Sequence, residues 1–405
     1  MDKFRTMSKR NRSLIFTGLG IGAILVFALI FTISNANKPP DPTPTPAPTL
    51  APTTTSEPAA VKLLVAGGDI FVPMAHDYVL ENYNLDISTK RVSTFRIKDD
   101  PGLGTEIQCV WPGSESAFND IRDSRSGLVL ASEKVFSTYN VLMTRADEHL
   151  PWFINAGLVS QEEDGRYTFD KMYELLQAAL SDKTWVELFT EQGLEVTESD
   201  IAAHPWMSLQ VNIATSAPEV SSGGQSAYFL FGAYLAAGSN QVSHVLTLDE
   251  LERVMPDLKK LWDEQPLQDP SSPSSFRKWV AESYSVPVVL SSESLFSTWL
   301  EDLSEDRKHD GDLIVGIYPP VTTKTDHVLA AVHPDCVALV NAFRNDPTLH
   351  EMGWDEGGMR TAAAGLNDKP GKTDVSWISA NALSLGEPKK EVFDYFISII
   401  RLPSN

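Results

Sequence analysis

Twenty consecutive residues without a charge, Leu14 to Ile33, constrain this chain before anything else does. At about 1.5 Å of rise per residue the run spans roughly 30 Å, the hydrocarbon thickness of a bilayer, so it predicts a single transmembrane helix. Residues 1–13 hold five basic side chains and one acidic one. Such a flank stays cytoplasmic, which places everything after residue 33 outside the membrane. The rival is a cleaved signal peptide ending near Ser34-Asn35-Ala36, but the apolar run is long for one, which favours an uncleaved anchor. No cysteine lies near the segment, so a lipidated-cysteine anchor is excluded. Residues 34–60 then carry eight prolines among threonines and alanines. They cannot build a core and prefer extended polyproline geometry, a stalk of up to about 60–70 Å.

Folding is thereby confined to residues 61–405, which are too many for one ordinary core and suit two lobes. The whole chain carries a net charge of −21, and outside the first twelve residues 53 acidic side chains face 28 basic ones. That balance disfavours nucleic acid and anionic membrane surfaces as partners. It leaves an anionic small ligand open, because local donors in a closed cleft outweigh a screened mean field. Only Cys109 and Cys336 occur. One disulfide and two buried thiols are both compatible with that count.

Along this part, "KLLVA" (62–66) predicts a buried strand closed by Gly67-Gly68, with Asp69 as cap of the helical stretch "IFVPMAHDYVLENY". "ISTKRVSTFRI" alternates like a strand, "SESAFNDIRD" predicts a short helix, and "SGLVLASEKVF" a strand ending at Ala131-Ser132. "YNVLMTR", "LQVNIATSAP" and "LIVGIYPPV" predict further strands. Helices are expected over 170–180, from "TWVELF", over "LTLDELERVMPDLKKLWDEQ" and over "KKEVFDYFISIIRL"; Thr247 and Glu250 form a capping box for the third. "SVPVVLSSESLFSTWLEDL" predicts strand, turn and helix, and "DCVALVNAFRN" another helix. Alternating strands and helices indicate an α/β fold with largely parallel sheets, whose ligands gather where strands end and helices begin. Four such junctions are rich in small polar residues: Gly67-Gly68-Asp69, Ser132-Glu133, Ser221 to Gln225, and Ser291 to Ser294. "SSGGQ" at 221–225 directly precedes the apolar run Tyr228–Leu235, as expected of a buried helix with an open, polar N-terminus.

In that order and spacing, "VKLLVAGGDI", "GLVLASEKVFSTYNVLMTR", "TSAPEVSSGGQSAYFLFGAYL", "YSVPVVLSSESLF", "GIYPPV" and "WDEGGMRT" make residues 61 to about 400 resemble a bacterial extracytoplasmic solute-binding protein. The resemblance is to the type II periplasmic-binding fold, in the molybdate- and sulfate-binding-like class. It implies two α/β lobes hinged by two crossing strands, "YNVLMTR" and "GIYPPV". One lobe takes about 61–138 and 319–405, the other about 145–312, and both cysteines fall in the first. It points to Gly68, Asp69, Ser132, Ser221, Ser222, Gly223, Gln225, Glu293 and Tyr318 as ligand-binding residues. The chain departs from the family pattern where Ser216-Ala217-Pro218 replaces an Asp-Pro and where Gly68-Asp69 replaces small hydroxyl residues. An aspartate facing the cleft would repel an anion, which argues against molybdate or sulfate. Arg360, in "GGMRT", reads as a carboxylate clamp or a structural ion pair.

No catalytic, metal or cofactor chemistry is nominated. "HEMGW" lacks the second histidine of a zinc helix, "GLNDKPGKT" has phosphate-loop composition with the wrong spacing, and no Gly-x-Ser-x-Gly elbow exists. The expectation is therefore a non-enzymatic, monomeric, membrane-tethered protein that closes two lobes on a small solute, with an ABC-type import permease as candidate partner. The alternative is a sensor or scaffold ectodomain of the same fold that binds a protein or envelope polymer.

Overall fold

Alternate side chains of Val61–Gly67 are buried on opposite faces of strand β1, and the lobe around it follows from that double burial. The structure, a computed structural model, describes residues 59–68, 70–266, 269, 271–302, 313–355, 357–361 and 382–400. Leu63 and Val65 of β1 pack with helix α1 (Phe71–Tyr83) and helix α11 (Val337–Asn345). Ala66 faces the other way, into a cluster with Phe118 and Ile121 of helix α2 (Glu115–Ser124). Strand β1 pairs in parallel with β2 (Leu85–Lys90) and β3 (Cys109–Trp111). A strand buried on both faces reads as a continuous apolar run, which is why "KLLVA" was legible.

Strand β4, Ala131–Arg145, crosses between two cores. Its residues 131–139 pair antiparallel with β9 (Thr322–Ala331), and residues 140–143 with β7 (Val289–Ser292). Residues 142–145 pair with β8 (Ile314–Ile317). The connected strand order is β10-β4-β9-β3-β1-β2, where β10 is Arg360–Thr361; β7 and β8 also join β4, and β11 (Ser384–Leu385) joins β9. The sheet is therefore parallel over β2-β1-β3 and antiparallel around β4 and β9, where the sequence led to the expectation of largely parallel pairing.

The second core gathers helices α3 (Leu150–Asn155), α4 (Met172–Leu180), α5 (Trp185–Glu191) and α6 (Glu198–Ala203), then α7 (Ser222–Ala237) and α8 (Leu248–Asp263). Helices α9 (Ser272–Glu282) and α10 (Glu293–Asp302) complete it; β5 (Ser160–Gln161) and β6 (Tyr167–Thr168) form a small hairpin. Helix α7 is buried from Gly224 almost continuously to Leu235, as a helix apolar on all sides must be. Helix α12 (Pro347–Asp355) follows α11. The final helix α13 (Lys390–Ile400) had been grouped by sequence with the first lobe. Its buried face, Val392, Phe393, Phe396 and Ile400, packs instead into the second core.

Three local expectations are corrected. "ISTKRVSTFRI" is a strand only as far as Lys90, and a 3-10 turn over Thr94–Asp99 follows. The strand expected to end at Ala131-Ser132 begins at Ala131. "LQVNIATSAP" makes only isolated bridges, Gln210 with Thr184 and Ala214 with Val289. Among the described residues no helix is long and apolar enough to cross a membrane; the expected span 14–33, the linker as far as residue 58 and Asp69 lie outside them.

His149 is fully buried beside Trp206, with ring centroids 4.6 Å apart. Burial pushes its imidazole pKa down to about 4. The unfolded chain, near the ordinary 6.5, therefore binds this proton more readily between pH 6.5 and 4. The stability His149 contributes is complete above pH 6.5 and is lost as pH falls toward 4. Lowering pH from 7 to 5 is expected to cost on the order of 2 kcal/mol through this residue. Urea titrations of wild type and His149→Phe at both pH values check it: the variant should lose less on acidification, and equal losses would refute the assignment.

Candidate functional site

The sequence "SSGG" starts α7 as a capped and unusually tight turn. Ser221 is the N-cap, and its hydroxyl accepts from the Gly224 N–H at 3.4 Å. The same hydroxyl meets Ser272 Oγ at 2.8 Å and Ser216 Oγ at 2.9 Å, and Ser216 Oγ meets Ser272 Oγ at 2.9 Å. Ser272 begins α9, so this triangle of hydroxyls fixes two helix starts to one another. A Cβ on Gly223 would stand 2.4 Å from Ser272 Oγ, and one on Gly224 2.3 Å from the Ser216 carbonyl oxygen. No side chain fits at either glycine without movement.

Asp269, nearly fully buried, supports the triangle from behind. Its backbone carbonyl accepts from Ala217 N–H at 2.8 Å, and its carboxylate takes Lys278 at 2.7 Å and the Ser274 hydroxyl at 2.9 Å. Burial pushes this carboxyl pKa up, but Lys278, Ser274 and the Ser271 N–H outweigh burial and hold it below the usual range. Asp269 thus anchors the loop that lacks the expected Asp-Pro.

These helix starts open onto a cleft of about 660 Å³. Ser221, Ser222 and Gly223 line one wall, with Ser271 and Ser272 beside them. Ser292 and Ser294, flanking the start of α10, line it next to Thr138 and Asn140 of the crossing strand. The opposite wall holds Gly67, Gly68, Phe71 and Trp111. Gly67 and Gly68 adopt φ of +84° and +67°, and a Cβ on Gly67 would stand 2.3 Å from the Trp111 carbonyl oxygen. Glycine is needed there for the turn as well as for space. Arg91 and Arg96 reach the cleft from the segment around the 3-10 turn, and both are exposed. His327, on β9, lines it beside the Phe71 ring, 5.3 Å between centroids. Burial pushes its pKa down to about 4, so at neutral pH it is an uncharged donor and acceptor.

Of the residues nominated by sequence, Gly68, Ser221, Ser222 and Gly223 line this cleft. Gln225 lines a smaller adjoining cavity of about 20 Å³. Ser132 does not face the cleft: it is a ladder residue of β4 opposite Ala330, and its carbonyl accepts from Arg344 at 3.0 Å. Glu293 and Tyr318 are spent internally. The Glu293 carboxylate receives the Arg360 guanidinium in bidentate fashion, one arm at 2.8 Å, together with the Tyr318 hydroxyl and the Tyr139 N–H. Both charged side chains are only 1% exposed. Burial pulls the Arg360 pKa down, but the facing carboxylate more than reverses this.

Arg91, Arg96, Ser271, Ser272 and His327 escaped the sequence reading. The arginines fall in or beside the stretch whose alternation predicts a strand, and "PSSPSS" (270–275) has no apolar periodicity to mark it. The pattern Ser-Ser-Pro-Ser-Ser before "FRKW" was the available helix-start signal, since Ser271 is the N-cap of α9 and Pro273 lies in its first turn.

No family model matches the chain, and no curated protein matches it. Solved structures do. The ferric binding protein from Campylobacter jejuni aligns over 84% of this chain and 96% of its own, with TM-score 0.54 and 7% identity. Iron-bound HitA from Pseudomonas aeruginosa aligns over 84% and 98%, with TM-score 0.51 and 9% identity. The periplasmic binding protein AfuA from Actinobacillus pleuropneumoniae, with fructose-6-phosphate bound, aligns over 84% and 97%, with TM-score 0.50 and 9% identity. All three are binding proteins. At such identities the likeness concerns the fold: this chain has the two-lobed α/β architecture of periplasmic solute-binding proteins.

Proposed function

We propose, from a chain with the fold of the periplasmic solute-binding proteins, that it captures a small polar solute bearing an anionic group in the 660 Å³ cleft. In the same reading it is held at the outer face of the membrane by residues 14–33 and the proline-rich linker, and delivers its solute to an ABC-type permease. One observation carries the ligand class. In a chain of net charge −21, the starts of α7, α9 and α10 and two arginines converge on one opening. Helix N-termini present unpaired N–H groups with a partial positive charge, and arginine adds a planar fork for carboxylate or phosphoryl oxygens. The cleft volume lies within the roughly 300–1,000 Å³ of small-molecule pockets, which suits an organic solute better than a bare tetrahedral ion. The AfuA structure, with its sugar phosphate, supports that class.

Calorimetric screening of the detergent-solubilised full chain tests this, with sugar phosphates, dicarboxylates, inorganic oxyanions and neutral sugars as separate arms. A phosphoryl or carboxylate ligand should bind, and Arg96→Ala should weaken it about 10- to 100-fold, the worth of one charge-assisted contact. Binding of neutral sugars alone would overturn the anion assignment. Failure of every class would favour the sensor or scaffold reading.

A further inference from the structure

The C-terminal segment belongs by its apolar face to the second core, yet its polar contacts reach back to the first lobe. Strand β11 pairs in parallel with Thr322 and Thr323, beside the return crossing into β9. From α13, the Phe396 ring packs tilted against Phe229 of α7, with centroids 5.0 Å apart, within the second core. Phe393 stands between that same Phe229, at 6.2 Å, and Phe95 of the 3-10 turn, at 5.0 Å. Lys390 reaches Asp120 of α2 at 3.0 Å. Between strand and helix, Glu387 lays its carboxylate on the start of α2, accepting from the Glu115 N–H at 3.0 Å and from the Ser116 N–H and hydroxyl.

That carboxylate rests on helix amides and a hydroxyl, with no ion pair of its own among the described residues. The packing beside it is incomplete. A cavity of about 20 Å³ remains, lined by Ser114, Ser116, Ser222, Gln225, Ser226 and Glu387 among others. Gln225 is 2% exposed, and its side-chain Nε2 has no hydrogen-bond partner among the described residues. Ser222 borders both this cavity and the ligand cleft. At this point the starts of α2 and α7 face each other across a gap, and Glu387 closes one side of it. A helix N-terminus attracts an anion only modestly, strongly enough to favour one arrangement and weakly enough to release it.

We propose that residues 384–400 form a strap across the two lobes and that Glu387 is its latch. While its carboxylate holds the α2 amides the lobes stay together over the cleft; its release lets them part. The inference stands on contacts outside the ligand-binding wall and holds whatever the cleft binds. The test is electron–electron distance measurement on the ligand-free full chain, with spin labels at the exposed positions Glu81→Cys on α1 and Glu252→Cys on α8. Glu387→Ala should move the distribution toward longer separations. Glu387→Gln, which keeps an acceptor oxygen but loses the charge, should move it less, and Lys390→Met should move it in the same direction. Hydrogen exchange separates a latch from a purely local contact. Release of a latch should expose amides near Val220, whose carbonyl meets the Ser93 hydroxyl across the cleft mouth at 3.2 Å, as well as those of Glu115 and Ser116. Folded variants with wild-type distances, or exchange changes confined to 115–116, would overturn the proposal. If Glu387→Ala does not fold, the other two variants decide by the same criteria.

Discussion

Arg360→Met, made with Glu293 left in place, is expected to cost about 3–5 kcal/mol of folding stability, because it strands a buried carboxylate. The pair is nearly inaccessible to solvent, and Glu293 also holds the Tyr318 hydroxyl and the Tyr139 N–H. The double variant Arg360→Met with Glu293→Leu should cost far less, about 1–2 kcal/mol, since it removes both buried charges together. Urea denaturation of the two variants measures the difference. A single variant no worse than the double would mean that the pair is already solvated. The effect should extend to the cleft, because Glu293 opens α10 and sits between Ser292 and Ser294, both of which line it.

Removing the bridge between Cys109 and Cys336 is expected to cost about 2–5 kcal/mol. The two residues are 227 positions apart, and both are fully buried. Cross-linking so distant a pair removes much of the freedom of the unfolded chain, because closure entropy grows with the logarithm of loop length. The bridge fastens β3 to the turn that starts α11, between elements of the first lobe. Thermal unfolding with and without reductant, compared with Cys109→Ala/Cys336→Ala, measures it; identical midpoints would show that packing alone holds the join. A bridge that persists in the native protein also supports the extracytoplasmic placement proposed above, since cytosolic thiols are kept reduced.

Local signals were legible where one stretch of chain contains its own cause. Thr247 and Glu250 form their capping box as read, because both partners lie within one helical turn. Ser221 caps α7 for the same reason. Strand β9 was not read at all. Its polar Thr323, Thr325, Asp326 and His327 lack an apolar pattern, and its strand character comes from partners about 190 residues away in β4. His327 became a cleft residue through the same long-range pairing. The family resemblance points to Glu293 as a ligand contact, but its partner Arg360 lies 67 residues further on.

By itself, then, the order of residues determined which segments cap, pair apolar faces and begin helices, and with them the α/β class and the polar start of α7. Only the tertiary structure decided which of those starts share an opening, which carboxylates are consumed by buried arginine or by helix amides, and to which core the last helix belongs. The physical reason is range. Caps and periodicities act within a few residues, whereas burial and charge pairing depend on neighbours that chain order brings together only after folding.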